Sequence, residues 1–159
     1  MRVEGKESVV TFDGGTLTLL RPDGSRLVLP AVSGEVDALG RTQPDLQALR
    51  DVGPIPEGAY SFRPGDIQEI KFLDNLLGTF SLGRLCAWPG GTIAWGRQRV
   101  FLDPGPETET FGRSGFAIHG GGRPGSRGCI DLCGAAPDFF SSIDRTLDEI
   151  PVYVDYPGN

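Results

Sequence analysis

The chain contains one histidine, His119, and one of its three cysteines, Cys129, lies ten positions later. The run between them, "HGGGRPGSRGC", is glycine, proline, arginine and serine. An imidazole and a thiol joined by one pliable loop are the minimum equipment for covalent catalysis by cysteine. A free thiol ionises near pH 8.5, so only a few per cent is thiolate at neutral pH. A neighbouring imidazole can take that proton, an assistance typically worth about 10²- to 10⁴-fold. Gly128 lets backbone come close to a substrate carbonyl, and the amides of Gly128 and Cys129 are candidates to stabilise an oxyanion. Removing one such donor typically costs roughly 2.7–4 kcal/mol. A structural reading stands beside this one: a strand-end histidine that only supports the fold, and a cysteine that serves as a small buried hydrophobe. Spacing alone does not choose between them.

The elements that must position this pair read as β structure. "SGFAIHG" predicts a strand with His119 at its C-terminal end. Upstream, "SVVTF", "TLTLL" and "RLVLP" predict a β-meander over about 8–34. Its turn signals are Asp13-Gly14 and Asp23-Gly24, where glycine takes a positive φ. Alternation at Leu17 and Leu19, and at Leu27 and Leu29, predicts one buried face. "TQPDLQALRDVG" predicts a short helix, with Pro44 in its first turn and Gly53-Pro54 as its stop. "GPIPEGAYSF" predicts a turn and then a strand from Ala59. "GTFSLG", "LCAWPGG", "TIAWG" and "RVFLDPGP" are apolar runs too short for helices and predict strands. Within them Trp88 and Trp95 read as core side chains rather than glycan platforms. "APDFFSSIDRTL" predicts the clearest helix, with Pro137 in its first turn and Phe140, Ile143 and Leu147 on one face. "IPVYVDY" closes the chain as a strand. The expected fold class is mainly β: a β-sandwich-like domain over 1–159 with one or two short helices and a site-bearing core over about 53–156.

Composition narrows the function. Fifteen basic and 21 acidic residues leave a net charge of −6, which argues against a nucleic-acid groove. No segment approaches the roughly 20 apolar residues of a membrane span. "MRVEGKESVV" lacks a 7–15-residue apolar core, so no secretory leader is expected. Twenty-four glycines and 13 prolines indicate a turn-rich chain, and the interspersed β-branched and aromatic residues favour a folded one. Cys86, Cys129 and Cys133 are odd in number, so at least one thiol stays unpaired within the chain. A Cys86–Cys133 bridge is one possible pairing that geometry alone can decide. One histidine and a Cys-x-x-x-Cys spacing make a poor zinc set, and neither metal nor cofactor is expected.

"IHGGGRPGSRGCIDL" resembles the signature of the YkuD-type L,D-transpeptidases. His119-Gly120 corresponds to the family's strand-end histidine-glycine. Ser126, Gly128, Cys129 and Ile130 correspond to its Ser/Thr-His-Gly-Cys-hydrophobic block. "GPIPEGAYSF" resembles the turn and strand that precede the site. Three departures stand out: Arg127 in place of the block's histidine, Asp131 where Asn or Arg is usual, and a spacer of only six residues between His119 and Ser126. The short form, with "GCIDL" running into a Pro-Asp-Phe-Phe helix start, is similar to type VI secretion L,D-transpeptidase effectors.

The resemblance implies a peptidoglycan-directed enzyme acting on tetrapeptide stems, with Cys129 as nucleophile and His119 as base. It implies hydrolysis (L,D-carboxypeptidase) or exchange with a D-amino acid. It also implies a toxin made in the cytoplasm, carried by a secretion tube or spike, active in the periplasm of a target Gram-negative cell and held by a cognate immunity protein. Gly120, Gly121 and Ser126 would support the loop. Arg127 is a candidate for a stem-peptide carboxylate, or simply a solvated arginine. Asp131 would orient His119, pair with Arg127, or be only a strand-end carboxylate. A cysteine amidase or endopeptidase of peptidoglycan, and a non-catalytic wall-binding module, remain alternatives.

Overall fold

Two Asp-Gly turns set the first part of the architecture. In the computed structural model, which describes residues 7–79 and 88–158, Gly14 and Gly24 take φ of 98° and 83°. The Asp13 carboxylate accepts the amides of Gly15 and Thr16 at 2.9 and 2.7 Å. The chain thereby reverses twice, and β1 (Val9–Phe12), β2 (Thr16–Leu20) and β3 (Arg26–Pro30) pair antiparallel as the sequence predicts. The C-terminal strand β11 (Ile150–Val154) joins β1 in parallel. It also pairs antiparallel with β5 (Gly58–Phe62), which in turn pairs with β8 (Asp103–Pro104). The result is a mixed six-stranded sheet, β3-β2-β1-β11-β5-β8.

The second sheet holds the site. Its order is β4 (Val32–Ser33), β10 (Ile130–Asp131), β9 (Ala117–His119), β7 (Gln98–Phe101) and β6 (Gln68–Glu69). β9 and β10 run parallel; the other pairs are antiparallel. One core fills the space between the sheets, with Val10, Leu17 and Val152 from the first and Val100, Ile118 and Ile130 from the second, all fully buried. Burial of side chains of this size is worth about 1.5–3 kcal/mol each. The fold is mainly β with three short α-helices among the described residues, which agrees with the expected class.

Helices depart from the sequence reading in four places. The helix expected over "TQPDLQALRDVG" is only a 3₁₀ turn, Pro44–Leu46. The Gln47 carbonyl, which a helix would commit to the residue four ahead, is taken by the guanidinium of Arg113, and Leu49 is left half exposed. "TIAWG", expected as a strand, is the helix α2 (Gly91–Trp95). Asn75 Oδ1 accepts the Thr92 amide at 2.9 Å and caps its first turn. Asn75 itself sits on α1 (Phe72–Thr79), to which the sequence reading assigns no helix. α1 leaves Phe72 and Leu73 exposed, so it lacks the buried stripe by which sequence patterns reveal a helix. α3 (Ala136–Ser141) starts beside Pro137 as expected but stops at Ser142, well before Leu147. Much of "GTFSLG" and "LCAWPGG", with Cys86, lies outside the described residues.

Candidate active site

Sheet register decides which side chains share a face. Ile118 on β9 is opposite Ile130 on β10, and His119 is opposite Asp131. Successive side chains on a strand alternate sides. Ile118 and Ile130 therefore face the core, while His119 and Asp131 face the other way. Cys129 lies in the bend just before β10, and its thiol meets the Gly115 carbonyl and the Ala117 amide at the start of β9. The parallel pairing of β9 and β10 thus brings the thiol to the strand that ends in the imidazole. Both are buried, at 4 and 9 % exposure.

The imidazole is pinned from behind. Nδ1 of His119 lies in a short hydrogen bond to the carbonyl oxygen of Gly120. A carbonyl only accepts, so Nδ1 carries the hydrogen and Nε2 of the neutral ring keeps its lone pair. The indole of Trp95 stacks at 5.1 Å between ring centroids. Burial holds His119 below the usual imidazole range; its hydrogen bond to Gly120 and the Asp131 carboxylate pull upward, and Arg99 pushes down. Burial pushes the Cys129 thiol up to about 11, against a lowering hydrogen bond from the Ala117 amide. The thiol donates to the Gly115 carbonyl at 3.8 Å. No hydrogen bond joins it to His119 among those of the described residues. At neutral pH the thiol and the imidazole are therefore both uncharged.

The loop from Gly120 to Gly128 is held by its own side chains. Ser126 Oγ donates to the Cys129 carbonyl at 2.6 Å and accepts the amides of Gly34 and Gly128, each at 3.3 Å. The Gly128 amide is thereby committed to the loop, which leaves the Cys129 amide as the oxyanion candidate of the two read from the sequence. Asp131, 1 % exposed, accepts the Cys133 amide at 2.8 Å and the Gly125 amide at 3.1 Å. Burial raises its proton affinity, against the hydrogen bond from Cys133 and the charge of His119. Of the three roles open to Asp131, its register places it beside His119, while Arg127 is exposed. Gly120 leaves no room for a side chain: a Cβ there would come within 2.7 Å of Ala136 Cβ. At Gly121, with φ of 157°, a Cβ would meet the Ile93 carbonyl at 2.9 Å. Cys133 is a free thiol, as is Cys129. Trp88 is buried, while Trp95 is half-buried against the site.

Two residues of the site escape sequence reasoning. Arg113, 7 % exposed, reaches under the loop. It donates to the carbonyls of Gly53 and Pro54, both at 2.8 Å, to that of Gln47, and to that of Arg127 at 3.4 Å. A Cβ at Gly128 would stand 2.2 Å from its Nη2, so glycine at 128 makes room for this guanidinium. Arg99 lies opposite His119 on β7. Arg113 is unmarked because its carbonyl partners lie far away along the chain, and Arg99 because sheet pairing, not its neighbours in sequence, sets it opposite His119.

A cleft of about 320 Å³ continues from the same loop, walled by Gly96, Gly121, Gly122, Cys133, Pro137 and Phe140.

No protein-family model matches the sequence, and no curated protein matches it. Solved structures do match. Bd1075 of Bdellovibrio bacteriovorus is 15 % identical with a TM-score of 0.52, over 96 % of this chain and 48 % of that one. L,D-transpeptidase 1 of Mycobacterium tuberculosis is 16 % identical with a TM-score of 0.49, over 94 % of this chain and 62 % of that one. An L,D-transpeptidase from Mycobacterium smegmatis is 16 % identical with a TM-score of 0.43, over 94 and 58 % of the two chains. The chain thus spans about half to three fifths of the length of these structures. The likeness to Bd1075 is one of fold, and at 15 % identity of fold alone.

Proposed function

We propose that the protein is a cysteine-dependent L,D-carboxypeptidase or L,D-transpeptidase of peptidoglycan tetrapeptide stems. One observation carries this reading: an imidazole fixed through Nδ1 to the Gly120 carbonyl ends the strand β9, and the Cys129 thiol is bonded to the start of that strand, at Gly115 and Ala117. The "IHGGGRPGSRGCIDL" resemblance supports the substrate class. In the proposed reaction Nε2 of His119 takes the thiol proton as sulfur attacks the carbonyl of the L-centre of meso-diaminopimelate. The C–N bond to the terminal D-alanine breaks, and the leaving amine takes the proton from the imidazolium. A thioester remains. Water attacks it, giving hydrolysis, or the amine of a free D-amino acid does so, giving exchange; either restores the thiol. Exposed Arg127 at the loop rim supplies a guanidinium for a stem carboxylate, and the glycine-walled cleft supplies room for the stem.

The reading is tested with the purified protein and tetrapeptide muropeptides, by following D-alanine release and product masses. Cleavage elsewhere in the stem would replace it with an amidase or endopeptidase. Unchanged stems together with sacculus binding would replace it with a wall-binding module. The pH profile carries its own expectation. The base must be neutral to act, and burial holds His119 below its ordinary value near 6.5. We therefore expect kcat/KM to stay level down through pH 6.5 and to fall only below it; an acid limb centred above 6.5 would contradict the buried neutral base.

We further propose, from the short interval between His119 and Ser126, a role as an antibacterial type VI secretion effector restrained by an immunity protein. Export to the periplasm of a Gram-negative host is expected to lyse or arrest cells, and cytoplasmic expression to be harmless. Equal growth in both arms would remove this role and leave the enzymatic reading untouched.

A further inference from the structure

The outer face of the second sheet carries one continuous polar row. Gln68 on β6 is opposite Arg99 on β7, Arg99 is opposite His119 on β9, and His119 is opposite Asp131 on β10. Residues directly opposite each other in a sheet project to the same side and touch. The row therefore runs amide, guanidinium, imidazole, carboxylate. The next row on this face holds Phe101 opposite Ala117, whose amide bonds the Cys129 thiol.

Arg99 is 4 % exposed and enclosed by rings. Its Cζ lies 3.9 Å from the ring centroid of Trp88, 4.4 Å from that of Trp95 and 5.0 Å from that of Phe101. Its Nε donates to Gln68 Oε1 at 2.9 Å. Trp95 is shared: the indole that walls the guanidinium also stacks on His119. Trp88 meets Trp95 edge-on at 6.2 Å, and Trp95 is tied by its indole N–H to the Pro89 carbonyl at 2.9 Å. Taking a guanidinium out of water costs several kcal/mol, against which cation–π contacts of up to about 2 kcal/mol and its hydrogen bonds work.

We propose that Arg99 is a positioning residue for His119: its caged guanidinium fixes the plane of the imidazole through Trp95 and keeps the ring in its neutral, proton-accepting form. This rests on the reading of His119 as the general base. The charged and titratable groups facing the imidazole are Arg99 from β7 and Asp131 and the Cys129 thiol from the β10 side. Cys133 stands behind Asp131, and α2 presents only the uncharged Trp95. Arg99 disfavours the imidazolium and Asp131 favours it. Burial sides with Arg99. Removing the guanidinium leaves the carboxylate unopposed, so the ring should bind protons more tightly.

The single histidine makes the test direct, because imidazole NMR signals need no assignment. We expect His119 to titrate below pH 6.5 in the wild type, Arg99→Met to raise the midpoint by about one unit, a tenfold tighter proton affinity, and Arg99→Lys to raise it by less. In D-alanine release the acid limb of kcat/KM should move up with the NMR midpoint, with kcat falling more than KM rises. Equal midpoints in wild type and Arg99→Met would overturn the proposal. If Arg99→Met does not fold, Arg99→Gln, which keeps a donor for Gln68 without the charge, carries the test: a raised midpoint supports the proposal, and an unmoved one overturns it. The titration reads the imidazole without any substrate. Shifted midpoints in a protein inert on every muropeptide would therefore sink the enzymatic reading and sustain the placement of Arg99. Full activity with unmoved midpoints would do the reverse.

Discussion

Cys129→Ala is expected to abolish D-alanine release from tetrapeptide stems, with kcat lower by roughly 10⁴- to 10⁶-fold, the loss typical when the nucleophile of a covalent mechanism is removed. The argument is one of chemistry and not of stability. The thiol is buried and its hydrogen bonds are weak sulfur ones, to the Gly115 carbonyl at 3.8 Å and from the Ala117 amide, so the loss of sulfur barely disturbs the fold. The neighbouring strand pairs, Ile118 with Ile130 and His119 with Asp131, do not involve it. Wild-type circular dichroism and melting should therefore accompany the lost activity. Cys133→Ala, which removes the second free thiol, should retain turnover within a few-fold. Muropeptide profiles that Cys129→Ala still converts from tetrapeptide to tripeptide would show that another group attacks, and the proposed mechanism would fall.

Arg113→Met should unfold the site scaffold at a temperature roughly 10 °C below the wild type. The guanidinium donates to the carbonyls of Gln47, Gly53, Pro54 and Arg127. Methionine fills much of the volume and donates nothing. Each buried carbonyl left without a donor costs about 1–3 kcal/mol. The three shorter bonds together are thus worth about 3–9 kcal/mol, and a chain of this size melts about 2–4 °C lower per kcal/mol, so a fall of roughly 10 °C takes the lower part of that range. Arg113→Lys should recover part of the loss, because an ammonium offers a point donor where the carbonyls are arranged around a fork. Thermal melts of the three proteins decide the matter, and a methionine variant within about 2 °C of wild type would show that the guanidinium does not hold the loop. Because Arg113 also fills the space over Gly128, the methionine variant should additionally loosen the strand-to-loop junction that presents Cys129.

How far the site was legible in the sequence depends on the reach of each interaction. The Asp-Gly turns are local: Asp13 accepts amides two and three residues ahead. A pattern of neighbours is therefore enough to place the meander. The strand ending at His119 and the proline at the start of α3 are local signals of the same kind. The candidacy of His119 and Cys129 is also a sequence-level fact, since the chain has no other imidazole. Ser126 as the loop's own fastener is local too, reaching Gly128 and the Cys129 carbonyl.

What the sequence could not decide follows from partners that are near in space and remote along the chain. Parallel pairing of β9 with β10 brings Cys129, the residue before β10, to the strand that ends in His119, and no local pattern sets the register of two short strands. Arg113 finds carbonyls 59, 60 and 66 residues away, and in doing so it turns an expected helix into a single 3₁₀ turn. Asn75 caps α2 from 17 residues upstream and makes a helix of a run whose composition reads as strand. The residue types that can do the chemistry were determined by the sequence. Only the tertiary structure decided which strand brings the thiol to the imidazole and which buried arginine stands opposite it, because each of these is a short-range force between groups that only the folded chain brings together.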